Sequence, residues 1–168
     1  RNDENRGKGY SVKRGVLLAK KRFILFSDAD LSTPISELDK FFNFLNSNNY
    51  DIIIGSRSLK ESQVRIKQPF YRLLFGKVFY LFVVFLTGVT FKDTQCGFKL
   101  FKNKVAKQIF NLQTLDHFSF DVELLYIAKK KKYKIKEFPV IWLNSKETKI
   151  RLIKDSIRMF FDILKIGF

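Results

Sequence analysis

The sequence predicts an α/β fold in which a mostly parallel sheet is flanked by helices. Residues 23–26 and 52–54 are short, continuous apolar runs, as expected for strands that are covered on both faces. Between the two runs, apolar side chains recur with the i, i+3, i+4, i+7 spacing of an amphipathic helix, namely at Leu38, Phe41, Phe42 and Leu45. A strand, a helix and a second strand in this order are typical of an α/β sheet.

The remaining elements follow from local signals. A helix over residues 9–20 precedes the first strand. Thr33 and Pro34 fit the N-cap and the first position of the helix that joins the two strands. Beyond the strands, the pattern predicts a helix over residues 121–130 and another strand over residues 138–142.

A long apolar stretch covers residues 69–91 and is interrupted by Arg72 and Lys77. Its uncharged part, residues 78–91, is shorter than the roughly 20 residues that a membrane span needs. An interfacial or buried helix therefore fits this stretch better than a transmembrane helix.

The final segment predicts an amphipathic helix. Its apolar face carries Ile150, Ile153, Ile157, Phe160, Phe161 and Leu164, and its polar face carries Arg151, Lys154, Asp155, Arg158, Asp162 and Lys165. A basic helix of this kind can lie in a membrane interface, although it can also pack on the domain core. We favour the interface, and we divide the chain into an α/β domain over residues 1–147 and this helix over residues 148–168.

The composition restricts the partners and the compartment. The 168 residues suit about one domain, and 32 basic residues against 16 acidic ones favour a polyanionic partner. No nucleic-acid-binding motif is evident, whereas the 20 phenylalanines cluster in amphipathic stretches, so a membrane surface is favoured over nucleic acid. Cys96 is the only cysteine, which excludes an internal disulfide and suits a cytosol-facing location. Because the chain begins with Arg1, we expect a fragment.

Two carboxylates that follow the first predicted strand are the main chemical signal. Asp28 and Asp30 flank one small residue, Ala29, and can converge on one cation. Hard oxygen ligands suit Mg²⁺ or Mn²⁺, which can also bind a substrate diphosphate and neutralise its charge as it leaves. An isolated Asp-x-Asp triplet is common, and the preceding buried strand makes this one more specific.

Basic and glycine residues supply candidate phosphate contacts. Gly7, Lys8 and Gly9 precede a helix and can present backbone N–H groups and one cation to a phosphate, although such a sequence is often only a turn. Arginine suits bidentate contacts with phosphate, and three arginines lie on or near one predicted loop, although each is as easily a surface residue: Arg57, Arg65 and Arg72.

Acidic residues in the second half are weaker candidates. Asp121 and Glu123 open a predicted helix, where carboxylates commonly complement the helix dipole, but either can act as a general base. His117 is the only histidine and is interpreted as structural. Because no Ser-His-Asp or Cys-His set is present, hydrolase chemistry is not supported.

Five segments in order resemble the family-two inverting glycosyltransferases, which have a GT-A, Rossmann-like fold. Within that family the resemblance is strongest to the dolichyl-phosphate β-glucosyltransferases and covers essentially the whole chain. The segments are residues 5–9 (NRGKG), 28–30 (DAD), 55–57 (GSR), 93–101 (DTQCGFKLF) and 120–126 (FDVELLY). The fourth and fifth are specific, whereas the second and third occur in many relatives.

The resemblance implies an enzyme that uses a UDP-glucose donor, a dolichyl or similar polyprenyl phosphate acceptor, and Mg²⁺ or Mn²⁺ at a membrane surface. That membrane would be the endoplasmic reticulum in a eukaryote and the inner membrane in a prokaryote, at its cytosolic face. The implied metal ligands are Asp28 and Asp30, and Lys8 with its glycines would lie on the donor side. The arginines named above would meet the acceptor phosphate. We expect the catalytic set to be Asp28, Asp30, Arg57, Asp93 and Gln95.

Departures from the family pattern keep alternatives open. The first strands of the family, which carry most contacts to the nucleotide base, are absent from these residues. Leu31 stands where the glucosyl enzymes often have glycine, and Lys13 stands where arginine is expected. A mannosyl transferase using GDP-mannose and an undecaprenyl-phosphate transferase remain alternatives. A non-catalytic, basic membrane- or nucleic-acid-binding module is the alternative from another class.

Overall fold

The computed structural model describes residues 2–65, 70–143 and 152–167. The helices and strands within these ranges are, in chain order, α1 Lys8–Leu18, β1 Phe23–Ser27, α2 Glu37–Ser47, β2 Ile52–Ser56, β3 Gln63–Val64, α3 Phe70–Thr87, β4 Phe98–Lys102, α4 Asn103–Leu112, α5 Phe120–Lys130, β5 Ile135–Pro139, β6 Ile141–Trp142 and α6 Leu152–Gly167.

The main sheet has the strand order β1-β4-β2-β5. β4 lies antiparallel to both of its neighbours, and β2 pairs with β5 in parallel. Three of the four strands therefore run in one direction, which confirms the α/β class. The pairing is nevertheless mixed, because β4, a strand that the sequence pattern did not predict, lies between β1 and β2.

Helices cover both faces of the sheet. Ile52 and Ile54 of β2 belong to one apolar cluster, which includes side chains of α1, α4 and α5. Ile53, between them, belongs to a second cluster with Phe41 and Leu45 of α2. The alternation of side chains along a strand thus places β2 between two layers of helices, as its apolar sequence predicts.

Two predicted boundaries are wrong. α2 begins at Glu37 rather than after Thr33, because residues 34–36 form a tight turn and Thr33 is buried beside Cys96. In that turn the N–H of Glu37 donates to the carbonyl of Pro34 at 3.0 Å. The strand predicted over residues 138–142 is two strands in different sheets, since β5 joins the main sheet and β6 pairs with β3.

Helix α3 and the C-terminal helix α6 pack against each other. The rings of Phe82 and Phe160 stack at 4.5 Å, and Ile163 is fully buried in the larger apolar cluster. α6 therefore packs on the core through one side, while other apolar side chains stay exposed. Within the described ranges, no helix has both the length and the hydrophobicity that a bilayer span requires. Ile150 and Arg151 of the predicted helix lie outside the described residues.

Candidate active site

The carboxylate that follows β1 lies directly against the turn that precedes β4. The N–H of Asp28 donates to the carbonyl of Gly97 at 2.8 Å. A Cβ atom at Gly97 would overlap the Asp28 carboxylate, so only glycine leaves room for this side chain. The structure thereby brings Asp28 together with the turn that contains Gly97.

Asp30 lies on the exposed side of the same turn. One of its carboxylate oxygens accepts a hydrogen bond from the N–H of Ser32 at 2.9 Å. Between them, Leu31 adopts a left-handed backbone conformation with φ of 51°, and its side chain is exposed. This conformation favours glycine and disfavours a leucine. The position noted as a departure from the family pattern is therefore also a position of backbone strain.

Lys8 is the first residue of α1, and its Nζ lies 2.7 Å from Oδ1 of Asp28. The start of the helix can approach closely because Gly9 lies against the carbonyl of Leu115, where a Cβ would come within 2.7 Å. Burial disfavours the charged amine, but the attraction of Asp121 and then of Asp28 outweighs it and raises the pKa of Lys8. Lys8 is thus a firmly protonated cation that faces carboxylates.

A second lysine, Lys99, is fully buried beside the first. It lies in β4, forms a close ion pair with Asp121, and donates to the carbonyl of Cys96 at 2.7 Å. Burial raises the pKa of Asp121, and the positive charge of Lys99 opposes that rise. Asp121 was a candidate base by its sequence position, whereas no local sequence signal marked Lys99, whose partner is 22 residues away.

Arg57, which directly follows β2, forms a bidentate ion pair with Asp93. Nε and Nη2 of Arg57 donate to the two carboxylate oxygens of Asp93 at 2.7 and 2.8 Å, and the backbone N–H of Arg57 adds a third bond at 2.9 Å. Burial opposes ionisation of Asp93, but Arg57 outweighs it and lowers the pKa of the carboxyl. The guanidinium also lies 5.2 Å from the ring of Trp142.

The other predicted site residues are placed as follows. Glu123 accepts hydrogen bonds from Thr114 and from the N–H of Leu115, so its carboxylate holds a loop. Gln95 lies beside Asp93, and its Nε2 is buried without a described hydrogen-bond partner. Arg65 is exposed at the end of β3. Arg72 lies in α3, and its side chain is outside the described part of the structure.

An apolar groove of about 1000 Å³ opens from Arg57 towards α3. Phe70, Leu74 and Phe79 form much of its wall, and Arg57, Lys77 and Lys92 contribute cations. Asp93 is the one carboxylate among the described residues of this lining. The groove thus combines a basic end with an apolar wall, which suits an amphiphilic anion.

The donor set at Asp28 and Asp30 fits a hard divalent cation. No group of three or more His, Cys, Asp or Glu side chains in the described ranges is arranged to hold a metal ion. Mg²⁺ does not require such a group, because it is commonly bound by one or two carboxylates together with water and substrate phosphates. The ion pair with Lys8 shows that the Asp28 carboxylate already faces a positive charge.

Comparisons with known proteins agree with one another. A family model described as glycosyl transferase family 2 matches residues 1–110. The chain is 37% identical over 169 residues to a dolichyl-phosphate β-glucosyltransferase of Dictyostelium discoideum and 34% identical over 168 residues to one of Homo sapiens. These alignments cover 98% and 97% of this chain but 52% of each relative, so the chain spans about half the length of these curated relatives.

Two solved structures support the fold. Glucosyl-3-phosphoglycerate synthase from Mycobacterium tuberculosis, in complex with uridine diphosphate, matches with a TM-score of 0.62 over 95% of this chain and 53% of that protein. The identity is 12%, so this likeness concerns the fold alone. Mannosyl-3-phosphoglycerate synthase from Rubrobacter xylanophilus matches with a TM-score of 0.57 and 16% identity, over 98% of this chain and 50% of that one.

Proposed function

Since the chain belongs to glycosyl transferase family 2, we propose that the protein transfers glucose from UDP-glucose to a dolichyl-type polyprenyl phosphate. One observation carries the proposal: the backbone of Asp28 is bonded to Gly97, two residues after the 93–95 segment that lines a groove with cationic side chains and an apolar wall. The names of the relatives support the same sugar and acceptor. Residues 1–147 would contribute part of the catalytic domain, and residues 148–168 would contribute the C-terminal helix.

The proposed reaction is a single displacement at the anomeric carbon of glucose. A phosphate oxygen of the acceptor forms the new bond, the bond from the anomeric carbon to the β-phosphate oxygen of UDP breaks, and UDP leaves with that electron pair. A phosphate monoester is already largely dianionic at neutral pH, because its second pKa is about 6. The reaction therefore needs no strong general base, and the paired Asp121 is not required in that role.

The donor side of the site consists of Lys8, Asp28 and Asp30. We propose that Asp28 and Asp30 hold Mg²⁺ or Mn²⁺, which when bound would offset the charge of the departing diphosphate. Gly7 and Gly9 let the start of α1 approach this edge closely, and the ammonium group of Lys8 supplies a further positive charge there. These residues position and stabilise the leaving group.

The acceptor side consists of Arg57, Asp93 and the groove. The bidentate bond to Asp93 fixes the guanidinium of Arg57, and no described residue accepts a hydrogen bond from its Nη1. A fixed guanidinium is well suited to bind a phosphate. We propose that it receives the acceptor phosphate, with Gln95 beside it, while the first isoprene units lie along the wall formed by α3. Arg65 and Arg72 remain candidates for further contacts.

A membrane surface would supply such an acceptor. Apolar side chains that are exposed on α3 and α6 suit insertion among lipid headgroups, and they are Phe70, Leu74, Phe75, Val78, Leu81, Phe85, Ile157, Phe160 and Phe161. The net charge of +16 suits an anionic surface. We propose that this face of the protein lies on the cytosolic side of the membrane.

A transfer assay tests the proposal. The complete protein is incubated with MgCl₂, dolichyl phosphate and radiolabelled UDP-glucose, and label is counted in the organic phase. We expect label in a lipid product, its loss with EDTA, and a β-linked glucose in the product. Parallel arms contain GDP-mannose as donor or undecaprenyl phosphate as acceptor. Transfer from GDP-mannose alone would contradict the assigned sugar, and no transfer in any arm would contradict the transferase.

A further inference from the structure

Four charged side chains alternate in sign from the solvent into the core. Asp28 pairs with Lys8 at 2.7 Å, and Lys99 pairs closely with Asp121 in the interior. Lys8 and Asp28 are each about one third exposed, whereas Lys99 and Asp121 are fully buried. The alternation gives two positive and two negative charges, so the group is neutral, and removal of any single charge leaves it unbalanced.

The inner pair and the outer pair share their surroundings. The ammonium groups of Lys8 and Lys99 lie 5.3 and 5.7 Å from the centre of the same Phe26 ring. The charge of Asp121 helps to raise the pKa of Lys8, as that of Asp28 does, although Asp121 forms its close contact with Lys99. The charge of Asp121 therefore acts on both lysines.

Backbone contacts link the inner pair to Asp28 by a second route. Lys99 binds the carbonyl of Cys96, and the next residue, Gly97, accepts the N–H of Asp28. The buried pair thus supports the turn on which the Asp28 carboxylate rests. Burying a charged side chain costs free energy unless a close partner of opposite charge offsets it. Lys99 and Asp121 are such partners for each other.

We propose that Asp121 and Lys99 are positioning residues that let Asp28 exchange its bond with Lys8 for a divalent cation. When Asp28 turns to a cation, Lys8 loses its direct partner, and the negative charge of Asp121 keeps Lys8 stable close by. This inference rests on the cation site of the proposed function and goes beyond it, because it assigns roles to two residues that do not touch the cation.

Charge-altering variants of the complete protein test the inference through Mn²⁺ binding, measured by electron paramagnetic resonance without donor and again with UDP. Asp121→Asn leaves Asp28 as the one carboxylate of this group beside two lysines, so we expect Mn²⁺ affinity to fall about tenfold or more. Lys99→Met removes one positive charge and should raise the affinity. The double variant restores the balance and should bind Mn²⁺ nearly as the unaltered protein does.

A more exposed lysine–aspartate pair on the same strand provides the control. Lys102 of β4 pairs with Asp51 at 3.0 Å, at the end of β2 opposite to Arg57. Asp51→Asn and Lys102→Met should leave Mn²⁺ affinity unchanged. If Lys99→Met does not fold, the contrast between Asp121→Asn and Asp51→Asn still decides, and equal affinities in those two variants overturn the inference.

Three further outcomes test the inference and the cation site separately. If Asp121→Asn and Lys99→Met both fold and weaken Mn²⁺ binding alike, the pair is only structural and the inference is overturned. If Asp30→Asn binds Mn²⁺ as the unaltered protein does, the cation site is wrong and the inference falls with it. If Asp30→Asn weakens binding but Asp121→Asn does not, only the inference is wrong.

Discussion

The two ion pairs at the edge of the sheet are built differently. Arg57 and Asp93 share two side-chain bonds and one backbone bond, and the Asp93 side chain is 5% exposed. Lys8 and Asp28 share one contact, and their side chains are 28% and 32% exposed. The first arrangement holds a guanidinium in one place, whereas the second can open to a ligand. The acceptor side is thus preorganised, and the donor side is able to exchange partners.

The largest effect is expected on the donor side. Asp30 is exposed, and its one described hydrogen bond is to the N–H of Ser32, so Asp30→Ala should cost little stability. It removes half of the proposed cation site, and we expect the transfer rate to fall on the order of 10³-fold. The measurement is the rate of transfer at saturating MgCl₂, with urea unfolding as the check on the fold.

Asp39→Ala serves as the control for this variant. Asp39 is an exposed carboxylate in the first turn of α2 and should be neutral for transfer. If Asp30→Ala transfers glucose as fast as Asp39→Ala, the assignment of Asp30 to a cation site on the donor side is wrong.

On the acceptor side, the main expected effect of a substitution is on stability. Asp93→Asn leaves a partly buried guanidinium without its partner, and we expect a loss of about 3 kcal/mol in the free energy of unfolding at neutral pH. Fluorescence of Trp142, the single tryptophan, reports unfolding close to Arg57, and circular dichroism reports the whole fold. Asp39→Asn is the matched acid-to-amide control.

The stability difference between the unaltered protein and Asp93→Asn should depend on pH. Arg57 lowers the pKa of Asp93 in the folded state, below the unfolded value of about 3.9. The carboxylate therefore stabilises the fold above about pH 4, and this contribution is lost as the pH falls through the folded pKa. The difference in unfolding free energy between the unaltered protein and Asp93→Asn should shrink below pH 4. A difference that is constant from pH 7 to pH 3 would contradict the ion pair.

The sequence predicted what depends on local pattern and missed what depends on distant partners. The strands β1 and β2 and the apolar face of α2 are visible as runs and spacings, and polar residues after strands locate the edge of an α/β sheet. β4 was missed, because a lysine in an apolar run suggests a solvated position. Lys99 is buried there only because Asp121 meets it in the folded protein. The pairing of Arg57 with Asp93 likewise joins residues 36 positions apart.

A smaller effect concerns the apolar surface beside the acceptor side. Phe85 is 86% exposed on α3, and its burial in lipid headgroups should contribute about 1.5 kcal/mol, so Phe85→Ser should weaken vesicle binding about tenfold. Cosedimentation with phosphatidylcholine and phosphatidylserine vesicles measures this. Leu18 of α1 is 70% exposed, and Leu18→Ser is the control. Equal losses for the two variants would show that the effect is not specific to the α3 face.

The smallest expected effect is on the donor side, at Leu31, which lies between Asp30 and Ser32. The backbone of Leu31 is in the left-handed conformation, which costs a residue with a Cβ atom about 1–2 kcal/mol. Glycine adopts this conformation freely, but it loses more conformational entropy on folding. Leu31→Gly should therefore raise the unfolding free energy by about 0.5 kcal/mol. Leu31→Ala keeps the Cβ and should give no gain, which separates backbone strain from loss of the exposed side chain. If the alanine variant is stabilised as much as the glycine variant, the backbone at this position is not strained.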